Sequence, residues 1–176
     1  VKFLCTPFDD ITLNDLLSIG VNKLKISSGD ITNLPLIDYA SKKKKYLIVS
    51  TGRSTMKEVS DAVKIIKKNK CKFSLLHCVS SYPAEIEEMN LKAINTLKKK
   101  FKCPVGLSDH SIGMDMAVAA VSLGANIIEK HITFDQYAKG PDHKASLNVK
   151  DLSLFVKKIR NIEKALGSGI KKPSIN

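Results

Sequence analysis

Tryptophan is absent from the 176 residues, and only two of the 29 basic residues, Arg53 and Arg160, are arginine. Both shortages count against a nucleic-acid reader. Such proteins use arginine for bidentate contacts and aromatic rings for stacking, and aromatic residues make up only 6% here. The four cysteines, Cys5, Cys71, Cys78 and Cys103, form no CxxC pair. A chain of this length needs no disulfide staples, so reduced thiols in a cytoplasmic protein are expected. No apolar run approaches the roughly 20 residues of a membrane helix. The opening VKFLCTPFDD lacks the basic start and apolar run of a signal peptide. No Pro-, Gly- or Ser-rich linker divides the chain, and no GxGxxG turn follows its first apolar run.

What is present is an ordinary globular composition, 43% hydrophobic and 26% charged, with a formal net charge of +12. Apolar, β-branched runs at Val1–Phe8, Lys23–Ser28, Tyr46–Ser50, Phe73–Ser80, Pro104–Leu107 and Asn126–Ile132 read as strands. Between them, helical spacing marks Leu13–Ile19, Leu34–Lys44, Thr55–Lys68, Asn90–Lys99, Met114–Leu123 and Asn148–Leu166. Strands alternating with helices predict a parallel sheet covered by helices. An open doubly wound sheet would favour the missing glycine-rich turn. A (β/α)8 barrel needs eight units and about 250 residues. The expectation is therefore an incomplete TIM (β/α)8 barrel of about six βα units, its first two strands missing. Residues 1–167 form the partial barrel in this reading, and residues 168–176 begin a linker.

Polar residues close every predicted strand: Thr6 and Asp9; Ser27, Ser28 and Asp30; Ser50 and Thr51; His77, Cys78 and Ser80; Ser108, Asp109 and His110; Glu129, Lys130 and His131. Ligands of parallel α/β folds bind at these carboxyl ends. A single polar strand end means little, but six in succession converge on one mouth. His110 and His131 end neighbouring strands, where two imidazoles can share one ion. Either alone would be an ordinary hydrogen-bonded interior histidine. Lys25, Ser28, Ser50, Thr51 and Ser108 supply a cation and hydroxyl donors, the needs of a phosphate or carboxylate. Each hydroxyl taken singly is equally an N-cap or turn residue. GPDHKAS at Gly140–Ser146 is a loop placed to cover the mouth, or a solvated turn. His77 reads as packing, His143 stays open, and Cys78 is set aside as a nucleophile because strand neighbours point to opposite faces.

TPFD (6–9), KISSGD (25–30), NLPL (33–36), STG (50–52), LLHCVSSYP (75–83), GLSDHS (106–111), IEKHIT (128–133) and GPDHKAS together resemble the N-acetylneuraminate (sialic acid) synthase family. The resemblance implies condensation of phosphoenolpyruvate with N-acetylmannosamine, releasing phosphate. It requires a divalent metal, Mn2+ first and Mg2+ or Co2+ as alternatives. Carried over by position, Thr6, Lys25, Ser28, Ser50 and Ser108 bind phosphoenolpyruvate. His110 and His131 hold the metal, while Tyr82, Glu129 and Asp142 meet the amino sugar. Glu129 and Lys25 are the implied catalytic pair. Ser27, Asp30 and Cys5 depart from the family's usual glycine, glutamate and serine.

The same resemblance implies a C-terminal antifreeze-like (SAF) domain beyond residue 176, a homodimer for the full-length protein, and mouth residues from two earlier strands. The isolated piece is accordingly expected to be unstable or inactive. A sister synthase making legionaminate or another nonulosonate is the alternative, and a basic non-catalytic module the reading from another class. The lysine runs oppose the latter. Lys42–Lys45, Lys67–Lys72 and Lys98–Lys102 fall where helices end, complementing their dipoles on the face opposite the mouth. Neither nucleic acid nor membrane is expected as a partner.

Overall fold

The computed structural model describes residues 1–173. Five strands, β1 (Lys23–Ile26), β2 (Tyr46–Ser50), β3 (Phe73–Cys78), β4 (Val105–Asp109) and β5 (Ile128–Lys130), form one parallel sheet in chain order. Their connections are α2 (Leu34–Lys42), α3 (Met56–Lys68), α4 (Ala93–Phe101) and α5 (Asp115–Ser122). Helix α1 (Asp10–Ser18) precedes the sheet and α6 (Leu152–Leu166) follows it. The result is a parallel half-barrel with one residue parity facing the helices and the other facing the concave side.

Strand alternation explains the division of labour. Leu24, Ile26, Leu47, Val49, Leu75, Val105 and Leu107 pack into the core beneath the helices with Ile37, Val59, Ile66 and Ile94. Lys25, Ile48, Ser50, Leu76 and Ser108 occupy intervening strand positions. Gly106 is one of these. A Cβ there would stand 2.2 Å from the Ile127 carbonyl oxygen, so neighbouring strands close only over a glycine.

Helix α3 shows how the local sequence starts an element. Thr55 and Glu58 form a reciprocal capping box, with the Thr55 N–H donating to Glu58 Oε2 at 2.7 Å and the Glu58 N–H to Thr55 Oγ1 at 3.3 Å. Val59, Ala62, Val63 and Ile66 are its buried residues. At the other end of the sheet, lysines link successive units. Lys44 donates to the Asn69 carbonyl, Lys67 to the Phe101 carbonyl at 3.0 Å, and Lys98 to the Gly124 carbonyl at 2.8 Å. Each acceptor lies at the C-terminus of the next helix, where carbonyls lack intrahelical donors. Much of the basic excess therefore serves the face opposite the mouth, as the helix positions of the lysines predict.

Several expectations are corrected. Val1–Phe8 is not a strand: it makes a single bridge, Cys5 to Leu24, with the Lys25 N–H donating to the Cys5 carbonyl at 3.2 Å. No described residue pairs with its outer side, and Val1, Phe3 and Leu4 remain exposed. The run Asn126–Ile132 is not one strand either. It breaks at His131, whose carbonyl accepts from the Leu147 N–H at 2.8 Å, and β6 (Ile132–Thr133) leaves to pair with β7 (Leu147–Asn148). The sheet thus contains five strands among the described residues, not six. The last helix starts at Leu152 rather than Asn148, because the Asn148 side chain accepts from the Lys150 N–H and holds a 3-10 turn first. The expected linker is exposed and irregular over residues 168–173, and its residues 174–176 lie outside the described ones.

Candidate active site

The carboxyl ends of the strands surround an open cavity of about 550 Å3. Thr6, Lys25, Ser28, Ser50, Tyr82, Ser108, His110, Glu129 and His131 all line it, so the structure brings together nine of the ten expected site residues. Asp142 is the exception. Its loop folds back on itself, the Asp142 carbonyl accepting from Ser146 Oγ at 2.8 Å and from the Ala145 N–H at 3.2 Å. The carboxylate still acts from nearby: burial raises the Tyr82 pKa first, and the charges of Cys78, Asp142 and Glu129 raise it further.

Lys25 projects from the middle of β1 and is 7% exposed. Its Nζ lies 3.3 Å from Glu129 Oε1, the same oxygen that accepts from Ser108 Oγ at 2.6 Å. Ser28 Oγ accepts from the Gly52 N–H at 3.0 Å. Gly52 itself has no room for a side chain, since a Cβ would stand 2.3 Å from Ser80 Oγ and 2.8 Å from Ser28 Oγ. Ser50 Oγ is buried without a hydrogen-bond partner. A buried hydroxyl facing an open polar cavity without a partner is costly unless a ligand or water meets it. Together these groups have the cation and hydroxyl donors that could hold an anion.

The two imidazoles line the same cavity. The ring centroids of His110 and His131 lie 5.5 Å apart at an interplanar angle of 59°, and Tyr82 packs against His110 with centroids at 4.1 Å. His110 Nδ1 is 2.7 Å from the Val79 carbonyl, which can only accept. In the neutral ring Nδ1 therefore carries the proton, which leaves the Nε2 lone pair for a metal. Two such nitrogens suit a divalent cation whose other positions are filled by water or substrate oxygen. Among the described residues no group of three or more His, Cys, Asp and Glu side chains could hold a metal.

Behind the two histidines, Lys130 Nζ pairs with Asp109 Oδ2 at 2.8 Å and donates to the Ser111 carbonyl at 2.7 Å. Asp109 Oδ1 accepts from the Ser111 N–H and hydroxyl at 2.9 and 2.6 Å. The pair joins the residues immediately before His110 and His131.

Of the residues lining the cavity, Arg53 had no place in the sequence reading, which counted Cys78 and Ser80 among the polar strand ends but gave them no role. Cys78 was judged against His77, which indeed points away and donates from Nε2 to the Met89 carbonyl at 2.7 Å. Its spatial partner is His110, with Sγ 3.8 Å from Nδ1. Burial favours the neutral thiol, but hydrogen bonds from His110 and Ser28 outweigh it and lower the Cys78 pKa. Burial likewise opposes protonation of His110, and the Cys78, Val79 and Glu129 contacts overcome it, raising that pKa. No spacing in the sequence signals this pair, because 32 residues separate the two. His143 holds Thr133 Oγ1 at 2.7 Å from its Nδ1 and shapes the loop.

Parallel α/β barrels carry their chemistry at this end of the sheet, and the fold and mouth place the chain among the TIM-type barrels as a partial member. The chain belongs to the NeuB family, whose model matches residues 1–171. It is 46% identical to the N,N'-diacetyllegionaminic acid synthase of Campylobacter jejuni, covering 99% of this chain and 53% of that protein. It is 36% identical to the human N-acetylneuraminate-9-phosphate synthase, over 97% of this chain and 48% of that one. Among solved structures, the N-acetylneuraminic acid synthetase of Leptospira borgpetersenii in complex with citrate superposes with a TM-score of 0.91 at 46% identity, covering 96% of this chain and 59% of that chain. The chain thus spans about half the length of the curated relatives it matches. No helix among the described residues is long and apolar enough to cross a membrane.

Proposed function

We propose that this chain carries the strand-end chemistry of a nonulosonate synthase, which joins phosphoenolpyruvate to an N-acetylated amino sugar and releases phosphate. The observation that supports it best is the meeting, in one cavity, of the Lys25–Glu129 pair, the orphaned Ser50 hydroxyl and the two imidazoles. Lys25, Thr6, Ser28, Ser50 and Ser108 bind and orient the enol phosphate, offsetting its charge in a partly buried site. His110 and His131 would hold a divalent cation, Mn2+ or in its place Mg2+ or Co2+, which supplies Lewis-acid polarisation of an aldehyde oxygen when bound.

The enol carbon of phosphoenolpyruvate forms a bond to the sugar's aldehyde carbon, and positive charge develops on the carbon bearing the phosphate. Water adds to that carbon, and collapse breaks its bond to the phosphate-bridging oxygen. Glu129, within reach of Lys25 and Ser108, is the carboxylate placed to hold or move a proton during these steps. Tyr82 and Glu129 face the amino sugar, with Asp142 acting on it through the neighbouring loop.

N-acetylmannosamine, giving N-acetylneuraminate, is the first acceptor proposed. The 46% identity to a diacetyllegionaminate synthase supports the diacetylated legionaminate precursor as the second. The full-length protein is proposed to be a cytoplasmic homodimer.

Calorimetry of phosphoenolpyruvate binding to this chain tests the donor site. Phosphate release by the chain extended to its relatives' length, with Mn2+ and each sugar in turn, tests the reaction. Binding that weakens in Lys25→Met, with release dependent on one sugar, is the expected result. Absence of donor binding together with absence of release under every sugar refutes the proposal.

A further inference from the structure

The cationic side chains that the described residues bring to the cavity wall differ in how they are paired. A phosphomonoester carries about −1.5 to −2 near neutral pH, and phosphoenolpyruvate adds a carboxylate. Three cationic side chains line the cavity: Lys25, Arg53 and Lys130. Lys130 is neutralised by Asp109 at 2.8 Å, with the two side chains 3% and 0% exposed. Lys25 shares its charge with Glu129 at 3.3 Å. Arg53 alone among these three makes no ion pair with any described residue.

Its placement is specific. Arg53 follows Gly52, whose close approach to the Ser28 and Ser80 hydroxyls leaves no space for a Cβ. The orphaned Ser50 hydroxyl lies three residues earlier on the same strand end. Arg53 also takes a left-handed backbone, φ +58°, a conformation that a residue with a Cβ adopts at a cost. Three of the other four non-glycine residues with positive φ, Lys44, Lys70 and Lys102, lie in turns at the far end of the sheet. The nearby N-terminus of α3 offers no competing anion site, because the Glu58 carboxylate already accepts from the Thr55 N–H.

We propose that Arg53 is a further cation of the donor site beside Lys25 and that its guanidinium grips the phosphate of phosphoenolpyruvate across the Ser28–Ser50 cradle. Lys25 is the buried point charge of this site and Arg53 the fork-shaped donor at its rim, suited to two phosphate oxygens at once. The inference rests on the phosphoenolpyruvate reading of the mouth.

Its test is calorimetric titration of the whole chain with phosphoenolpyruvate, and separately with inorganic phosphate, at low and high salt. Arg53→Met is expected to weaken both ligands roughly tenfold at low salt, with a smaller loss at high salt because a rim charge is screened. Arg53→Lys should recover part of the affinity. Arg53→Gly should keep or raise the thermal midpoint while losing the affinity, since it relieves the left-handed backbone but removes the guanidinium. Lys57→Met, an equal charge loss on the exposed surface of α3 outside the cavity, should leave both affinities within about twofold.

Unchanged affinity in Arg53→Met beside a loss in Lys25→Met overturns the role of Arg53 and leaves the donor site standing. An equal loss in Lys57→Met also overturns it, by assigning the effect to the general field of the protein. A parent chain that binds neither ligand overturns the donor-site reading and this inference with it.

Discussion

Glu129 is held from two sides, by the Lys25 ammonium and the Ser108 hydroxyl, both on the same carboxylate oxygen. Its other oxygen makes no hydrogen bond or ion pair with any described residue. Glu129→Gln preserves shape and hydrogen bonding but removes the exchangeable charge. Phosphate release by the extended chain is expected to fall by about 100-fold or more, the usual scale for loss of a general acid or base. Donor affinity measured by calorimetry should change far less. His77 supports a second prediction at this scale. Burial lowers its pKa below 6.5, only partly opposed by its bond to the Met89 carbonyl. The unfolded chain therefore takes up this proton before the folded chain does. Stability from this group is present above the unfolded value and declines as pH falls through and below 6.5. His110 shifts the opposite way, so the whole curve mixes both. The informative quantity is the difference between the parent and His77→Gln in urea unfolding. The parent should lose ground to the variant as the solution is acidified from neutral, and a constant difference would contradict the buried neutral imidazole.

Helix α3 is tied down at both ends, by its capping box and by Lys44 on the Asn69 carbonyl, and the two ends serve different purposes. The Thr55–Glu58 box starts α3 beside the mouth. Thr55→Ala removes one of its two reciprocal bonds and is expected to cost about 1 kcal/mol in chemical denaturation. At the opposite end, the Lys67 and Lys98 ammonium groups close carbonyls of the following helices. Lys67→Met or Lys98→Met should each cost about 0.5–1.5 kcal/mol. Lys57→Met, with no such carbonyl, should stay within about 0.5 kcal/mol. Equal effects at all three positions would reduce the lysines to simple charge. Buried β-strand residues stand above this scale: Leu75→Ala, at 0% exposure in the centre of the sheet, should cost about 2–5 kcal/mol.

As a whole molecule the half-barrel has two open flanks. Among the described residues β1 pairs only with β2 and the lone Cys5 bridge, while β5 pairs only with β4. Phe134, Tyr137, Leu154 and Val156 remain exposed beyond β5, and Phe3 and Ile19 beside β1. Unpaired strand edges and exposed apolar side chains favour association with further strands. The isolated chain is therefore expected to self-associate as its concentration rises, read by sedimentation velocity. The version extended to its relatives' length should melt at a higher temperature. A monomer at all concentrations with the same thermal midpoint as the extended chain would contradict this.

Most of the architecture was legible in the residues. The strands around Lys23–Ile26, Tyr46–Ser50, Phe73–Cys78 and Val105–Asp109 and all six of the intervening or flanking helices, their ends aside, follow from apolar spacing alone. Such spacing records which faces meet the core, a local property of each segment. Polar residues at successive strand ends likewise identified one mouth, and nine of ten expected residues line it. The residues that escaped notice did so for physical reasons. Arg53 sits in a loop where no periodicity operates, and its contribution depends on Lys25 and Lys130 being paired elsewhere. Cys78 meets His110 across two strands rather than along one. Asp142 left the wall because its loop satisfied its own backbone first. Val1–Phe8 has the composition of a strand, yet a ladder requires a partner on the hydrogen-bonding side as well as an extended sequence. By itself, then, the sequence determined the βα alternation, the residue types at the mouth and the placing of lysines at helix ends, all of which depend on residue type and short-range order. Only the tertiary structure decided which strands found partners, where the chain broke at His131, and which cation at the mouth stayed free, because those outcomes turn on contacts between segments far apart in the chain.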